Sequence, residues 1–116
     1  MRLVLVRHAE CLGNVDKSAY TRIPDHALPL TERGEEQARA AGPRLRAQLG
    51  PGPYGVVVSP YRRTLDSLRL FDLDPAFTVQ EPRLREQDWG NLQDDARQRR
   101  QEAERNAYGH FFYRLA

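Results

Sequence analysis

Two short runs of apolar residues predict strands that are covered on both faces. Residues 3–6 (LVLV) and 56–58 (VVV) are rich in β-branched side chains and show no polar alternation, which is typical of strands in a parallel sheet. A brief run at 77–79 (FTV) is a third strand candidate. Open parallel sheets bind ligands beside the carboxyl ends of their strands. The residues that follow each run are therefore the first candidates for function.

Helical patterns alternate with these runs. One begins at Thr31, a good helix N-cap, and ends at the Gly-Pro-Gly-Pro stretch at 50–53, with Pro43 expected to kink or split it. A second follows residues 56–58 and carries apolar residues on one face: Tyr61, Leu65, Leu68 and Phe71. The alternation predicts an α/β fold with a mostly parallel sheet. Residues 15–30 show neither period and are expected to form a long loop.

The residues after the first two runs suit a phosphate site. Arg7 and His8 follow the first run, with a Gly-Asn turn at 13–14 behind them, and Arg62 and Arg63 follow the second. The right-handed crossover between parallel strands brings both strand ends to one edge. Arginine offers a planar fork for phosphate, and histidine can act as a nucleophile or as an acid or base. A phosphate pocket is one interpretation, and a pair of solvated arginines is the other.

Composition excludes several classes of protein. With 116 residues, we expect a single domain over 1–116, and the net charge of +2 gives no basic field for nucleic acid. Cys11 is the only cysteine, which excludes an internal disulfide and fits a reducing, cytoplasmic compartment. No apolar stretch is long enough to span a membrane. The scattered histidines lack metal-ligand spacing, so neither a metal nor another cofactor is expected.

The last third of the chain is polar and then aromatic. From 94 to 106 the sequence favours a solvated helix of mixed charge. An arginine-rich RNA-binding segment at 97–105 is the alternative, although interspersed acids count against it. Residues 108–115 are dense in aromatics and are expected to be buried. The loop at 84–90, before the predicted helix, holds Trp89, a packing candidate, and the possible proton donors Glu86 and Asp88.

Four sequence blocks carry a family resemblance. They are RHAE with Gly13-Asn14 (residues 7–14), PLTERG (29–34), SPYRRT (59–64) and LREQDWG (84–90). In this order the blocks resemble the histidine phosphatase superfamily, which contains the cofactor-dependent phosphoglycerate mutases. The resemblance covers the whole chain and implies a three-layer α/β/α, phosphoglycerate mutase-like fold. It also implies a phosphorylated small molecule as substrate and a phosphohistidine intermediate, with no metal.

The resemblance also implies roles for particular residues. His8 matches the histidine that takes the phosphoryl group, and Glu86 matches the proton donor to the leaving oxygen. Arg7 and Arg63 match the arginines of the phosphate pocket, and Asn14 matches a polar residue near it. Arg63 is preferred over its neighbour Arg62 because it stands four residues after Ser59. Nearby guanidiniums would keep the imidazole neutral, as a nucleophile requires.

Two residues depart from the family pattern, and one element is missing. Ala9 replaces the usual glycine, and its methyl group requires a negative φ at this position. Cys11 stands where a residue with a hydroxyl group is common in the family. The family's second catalytic histidine follows a later strand, and neither His26 nor His110 matches it. That later strand normally lies between the first two strands named above. The chain is therefore expected to be truncated after the first half of the domain.

Two functions remain open at this point. The first is a phosphomonoester phosphatase, or a mutase-like phosphotransferase, whose turnover is impaired because the second histidine is missing. The second is a non-catalytic remnant that acts as an interaction or self-associating domain. In either case, unpaired strand edges favour a complementing chain or a second copy as a partner. The identity of the substrate cannot be inferred from these residues.

Overall fold

Helices alternate with two parallel strands in the computed structural model, which describes residues 1–87 and 94–108. The elements are α1 (Leu12–Val15), α2 (Glu32–Leu49), β1 (Gly55–Val58), α3 (Arg62–Phe71), β2 (Phe77–Gln80) and α4 (Asp95–Tyr108). Short 3₁₀ turns occupy Lys17–Thr21, Asp25–Ala27 and Pro82–Leu84. This order confirms the predicted α/β class. None of the described helices is long and apolar enough to cross a bilayer.

Helix α2 begins and ends where the sequence predicts. The Thr31 hydroxyl accepts a hydrogen bond from the backbone N–H of Gly34 at 3.0 Å, which satisfies a donor that the first helical turn leaves unpaired. At the other end Gly50 adopts φ of 77°, a left-handed conformation that glycine tolerates best. The helix runs through Pro43 without interruption. The expectation that Pro43 would split it is therefore wrong.

Strands β1 and β2 pair in parallel, from Gly55 opposite Phe77 to Val58 opposite Gln80. This confirms the strands predicted at 56–58 and 77–79. The burial on both faces predicted for 56–58 is wrong, since Val58 is buried but Val57 is 56% exposed; every residue of β2 is exposed as well. The described residues supply too little covering layer for the apolar side chains of this sheet.

The strand predicted at residues 3–6 is not formed. No ladder of backbone hydrogen bonds joins this segment to another part of the described chain, and Leu5 is 86% exposed. A strand needs a neighbour for its N–H and C=O groups, and apolar composition alone does not provide one. Side chains hold the segment instead: Arg2 donates to the carbonyls at the end of α2, and Ser67 Oγ accepts from the N–H of Ala9 at 2.9 Å.

Helices α2 and α3 pack against each other. The buried apolar core of the described residues is small and consists of Cys11, Ala19, Leu28, Ala38, Val58 and Phe71. Gly42 lies so close to the carbonyl of Phe71 that a Cβ there would overlap it, which shows how near the two helices approach. The region predicted to be a loop, residues 15–30, is anchored in this core by two fully buried residues, Ala19 and Leu28. It is therefore an ordered connection built from 3₁₀ turns, and it brings its polar residues towards α3.

The C-terminal part is described only in places. Helix α4 confirms the polar helix predicted at 94–106. Tyr108 is 71% exposed, so the predicted burial of the aromatic stretch is wrong at that position. The rest of that stretch, residues 109–115, lies outside the described residues, as do Asp88 and Trp89.

Replacement of Gly34 by alanine is expected to destabilise the fold. A Cβ at Gly34 would overlap the carbonyl oxygen of Glu10, a backbone atom that cannot easily move because it accepts a hydrogen bond from Thr31. Overpacking of this kind costs about 1–3 kcal/mol. We therefore expect Gly34→Ala to lower the free energy of unfolding measured by urea titration. Gly52→Ala is the control, since a Cβ there meets nothing within 4 Å. Equal stability of the two variants would contradict this packing.

Candidate active site

The loop that carries the first candidate residues is clamped by the start of α2. Leu12 N–H donates to the carbonyl of Pro29 at 2.9 Å, and Thr31 N–H donates to the carbonyl of Glu10 at 3.1 Å. The side-chain oxygen of Asn14 also accepts from the N–H of Cys11 at 2.9 Å. Ala9 does not have a positive φ, as its methyl group requires. These bonds fix the loop without a neighbouring strand.

His8 and Arg63 meet across this loop, as the crossover argument predicts. The ring atom Nδ1 of His8 lies 2.7 Å from the carbonyl oxygen of Ala9, and Nε2 lies 3.3 Å from Nε of Arg63. A carbonyl can only accept, so Nδ1 carries the proton; a guanidinium can only donate, so Nε2 accepts. His8 is therefore neutral, with its lone pair on Nε2. That is the form that a nucleophile needs.

The surroundings of His8 favour this neutral form. Burial lowers the pKa of His8 below its ordinary value of 6.5, and the positive charges of Arg63 and Arg7 lower it further. The hydrogen bond to the Ala9 carbonyl and the carboxylate of Glu86 act in the opposite direction. The pKa of His8 in the folded chain lies below 6.5. Between that pKa and 6.5, the unfolded chain therefore binds more protons at His8 than the folded chain does. Acidification below 6.5 therefore weakens folding through this group.

Arg63 is almost fully buried, with 4% of its side chain exposed. Its Nη1 donates to the backbone carbonyl of Asp25 at 2.6 Å and to the carboxylate of the same residue at 2.9 Å. Its guanidinium carbon also lies 4.9 Å from the centre of the Tyr61 ring, a cation–π distance. Asp25 lies in the patternless loop, and sequence reasoning did not identify it. No local signal could have done so, because its partner is 38 residues away.

A cleft of about 330 Å³ opens in front of His8. Besides His8, it is lined by two predicted residues, Arg7 and Asn14, and by two that sequence reasoning missed, Glu10 and Gln37. Gln37 accepts a hydrogen bond from the N–H of Glu10 at 3.0 Å, so it supports the loop and faces the cleft. Arg7, with an exposed side chain, is placed to contact an anion in the cleft.

The remaining candidates are placed less centrally. Glu86 is exposed, and it lies close enough for its charge to act on His8. Arg62 points elsewhere and forms an ion pair with Asp66 at 3.4 Å. The geometry therefore favours Arg63 over Arg62. Asp88, the other acid of that block, lies outside the described residues.

A second cleft includes neither His8 nor the residues around it. It is larger, about 540 Å³, and lies at the 50–53 loop, but its arginine, Arg46, already donates to the carbonyls of Phe71 and Asp72. Within residues 1–87 and 94–108, no three His, Cys, Asp or Glu side chains are grouped as metal ligands. Among the described residues, the candidate catalytic groups therefore include His8 and the arginines near it, Arg7 and Arg63.

Comparison with known proteins finds matches over most of the chain. Residues 3–116 match the family described as the histidine phosphatase superfamily (branch 1). Two phosphoglycerate mutase-like proteins of Arabidopsis thaliana are similar over 98% of this chain: AT74H is 42% identical and AT74 is 41% identical. The match covers 46% and 40% of those proteins, so this chain spans less than half the length of these curated relatives.

Two further proteins match parts of the chain. A broad-range acid phosphatase of Saccharomyces cerevisiae, DET1, is 38% identical over 47% of this chain and 16% of its own length. A solved structure from Nakamurella multipartitia, named as a phosphohistidine phosphatase (SixA), superposes with a TM-score of 0.56. That pair is 29% identical, over 73% of this chain and 44% of the other. The likeness supports the phosphoglycerate mutase-like α/β fold.

The two neighbouring arginines of α3 should affect His8 differently. Arg63→Ala removes a positive charge beside the ring and opens it to water, and both changes raise the pKa of His8. Arg62→Ala removes the same charge from an exposed side chain that pairs with Asp66, so the pKa should stay unchanged. The measurement is an NMR titration of the imidazole signals, with His8 assigned by comparison with His8→Gln. Equal shifts in both variants would contradict the arrangement.

Proposed function

Because this chain belongs to the histidine phosphatase superfamily (branch 1), we propose that it transfers phosphoryl groups from phosphomonoesters through a phosphohistidine at His8. The observation that carries the proposal is the contact between His8 Nε2 and Arg63 Nε at 3.3 Å. It combines an unprotonated ring nitrogen with a fixed, buried guanidinium. Few arrangements suit attack on an anionic phosphoryl group as directly.

The reaction proceeds in two steps. In the first, the Nε2 lone pair of His8 attacks phosphorus, an N–P bond forms, and the P–O bond to the leaving group breaks. Glu86, when protonated, supplies a proton to the leaving alkoxide. In the second step water attacks phosphorus and gives a proton to the Glu86 carboxylate, the N–P bond breaks, and inorganic phosphate leaves. His8 regains its lone pair, so the histidine is a covalent catalyst.

The arginines act on the charge of the phosphoryl group. As the phosphoryl group enters, the hydrogen bond that Arg63 Nε–H donates to His8 shifts to a phosphoryl oxygen. The lone pair of His8 Nε2 is then free for attack. Arg7, at the open side of the cleft, contacts a second oxygen, and Asn14 lines the same wall. Charge spreads over these oxygens in the transition state, so donors that are already in place need little reorganisation.

The proposed substrate class is supported by the open cleft and by Arg7 in its wall. We propose a phosphorylated small molecule, handled by a phosphatase rather than an isomerase, because the cleft is open and admits water. The names of two relatives, a broad-range acid phosphatase and a phosphohistidine phosphatase, are in keeping with hydrolysis. Nucleic acid and membranes are not part of the proposal. A cytoplasmic location, inferred from the single cysteine, belongs to it.

Repeated turnover by these 116 residues is proposed to be slow. The resemblance gives the family a second catalytic histidine, and no block of this sequence matches it. The described site supplies the nucleophile and its arginines, which suffice for the first step. Phosphoryl uptake is therefore a more direct test than steady-state release of phosphate.

His8 should become phosphorylated by a reactive phosphomonoester. The chain is mixed with p-nitrophenyl phosphate, and intact mass and the release of nitrophenolate are followed over time. We expect one phosphoryl group per chain, labile in acid and stable in base as a phosphoramidate is, and none in His8→Ala. His110→Ala is the matched control and should be labelled as the parent chain is. An unlabelled parent chain, or label that survives in His8→Ala, would overturn the proposal.

Exposed apolar side chains favour a second candidate, a self-associating domain. Leu3, Leu5, Val57, Phe77 and Val79 are between 48% and 86% exposed. The two-stranded sheet also leaves one edge of each strand unpaired among the described residues. Identical edges can pair with each other about a twofold axis. The proposed partner is a second copy of this chain.

This candidate predicts a concentration-dependent dimer. Sedimentation velocity should show dimers that Val57→Lys dissociates, because the new charge lies on the apolar face of β1. Ala47→Lys adds the same charge at an exposed position of α2 and should leave the dimer intact. A chain that stays monomeric at all concentrations would contradict self-association, and it would leave the phosphoryl-transfer proposal untouched.

A further inference from the structure

Arg63 is held from the side that faces away from His8. Its Nη1 is bound twice by Asp25, through the backbone carbonyl and through the carboxylate, while its Nε is directed at His8. Asp25 is 23% exposed, so the ion pair is shielded from water on the arginine side and partly open on the other. The guanidinium therefore connects the segment of His8 with the segment of Asp25, which are distant from each other in the sequence.

The position of Asp25 is itself fixed. It begins the 3₁₀ turn Asp25–Ala27, which follows Pro24, and Leu28 just beyond this turn is completely buried. The turn also packs against α3, the helix that carries Arg63. An anchored backbone presents the carbonyl and the carboxylate of Asp25 in one direction, so the two acceptors hold the guanidinium as a pair.

We propose that Asp25 is a positioning residue, which orients the Arg63 guanidinium so that Nε reaches His8 and the entering phosphoryl group. This rests on the proposed function, because it assigns a task within the same site. An arginine side chain has several rotatable bonds, and a single contact to a ring nitrogen does not fix them. The two contacts to Asp25 remove that freedom before substrate arrives, which is the role of preorganisation in a site of this kind.

A different role for Asp25 would be simple neutralisation of the arginine charge. The two roles predict opposite effects on His8. If Asp25 positions Arg63, its loss lets the guanidinium move away from the ring, and the pKa of His8 rises. If Asp25 only neutralises Arg63, its loss leaves an unbalanced positive charge beside the ring, and the pKa falls. The other charges that face His8, those of Arg7 and Glu86, are the same in both cases.

The test is an NMR titration of His8 in four forms of the chain: the parent, Asp25→Ala, Arg63→Ala and the double variant. We expect Asp25→Ala to shift the His8 midpoint upward, in the same direction as Arg63→Ala, and the double variant to match Arg63→Ala alone. Glu35→Ala is the control, since it removes a carboxylate from the exposed ion pair with Arg39. It should leave the His8 midpoint unchanged.

A downward shift, no shift, or shifts that add in the double variant would overturn the proposal. If Asp25→Ala does not fold, Asp25→Asn keeps an oxygen acceptor of the same size and should give a smaller upward shift. A downward shift in Asp25→Asn would again exclude positioning. The titration does not depend on turnover, so its failure differs from failure of the proposed function, which appears as absent phosphorylation of His8 in the parent chain.

Discussion

The arrangement of the site depends on one buried cation. An unpaired guanidinium in this position would be costly, since a charge removed from water must be compensated by partners. Arg63 obtains them from two other segments: the loop after residue 6, through His8, and the 3₁₀ turn at Asp25. Because Arg63 lies in the first turn of α3, it draws both segments onto that helix. The Arg63 guanidinium therefore holds these segments together and also contacts the proposed nucleophile, His8.

The fold around Arg63 is built from few elements. Its helices approach closely at small residues, as at Gly42 against Phe71, and its described sheet has only two strands. Much apolar surface stays exposed on the strands and on residues 3–6. The loop that carries His8 is nevertheless well fixed, because its bonds run to the cap of α2 and to Ser67 on α3. The nucleophile is thus held by helices and loops.

Sequence reasoning succeeded where the determinants are local. The hydroxyl of Thr31 and the flexibility of Gly50 act within one helical turn, so the ends of α2 could be predicted. His8 and Arg63 meet as predicted, although that prediction used the crossover rule for parallel strands and the first of those strands is not formed. The strand at 3–6 failed because pairing is a property of two segments. Asp25 and Gln37 were missed because each acquires its role only through a distant contact.

Orthovanadate bound to crystals of the chain gives the most direct test of the central claim, that His8 Nε2 and Arg63 together receive a phosphoryl group. Vanadate mimics phosphorus in the act of transfer. The account predicts vanadium bonded to Nε2 of His8, with Arg63 and Arg7 on the equatorial oxygens and Arg63 still held by Asp25. Vanadate bound elsewhere, or absent while Arg63 remains on His8, would contradict it.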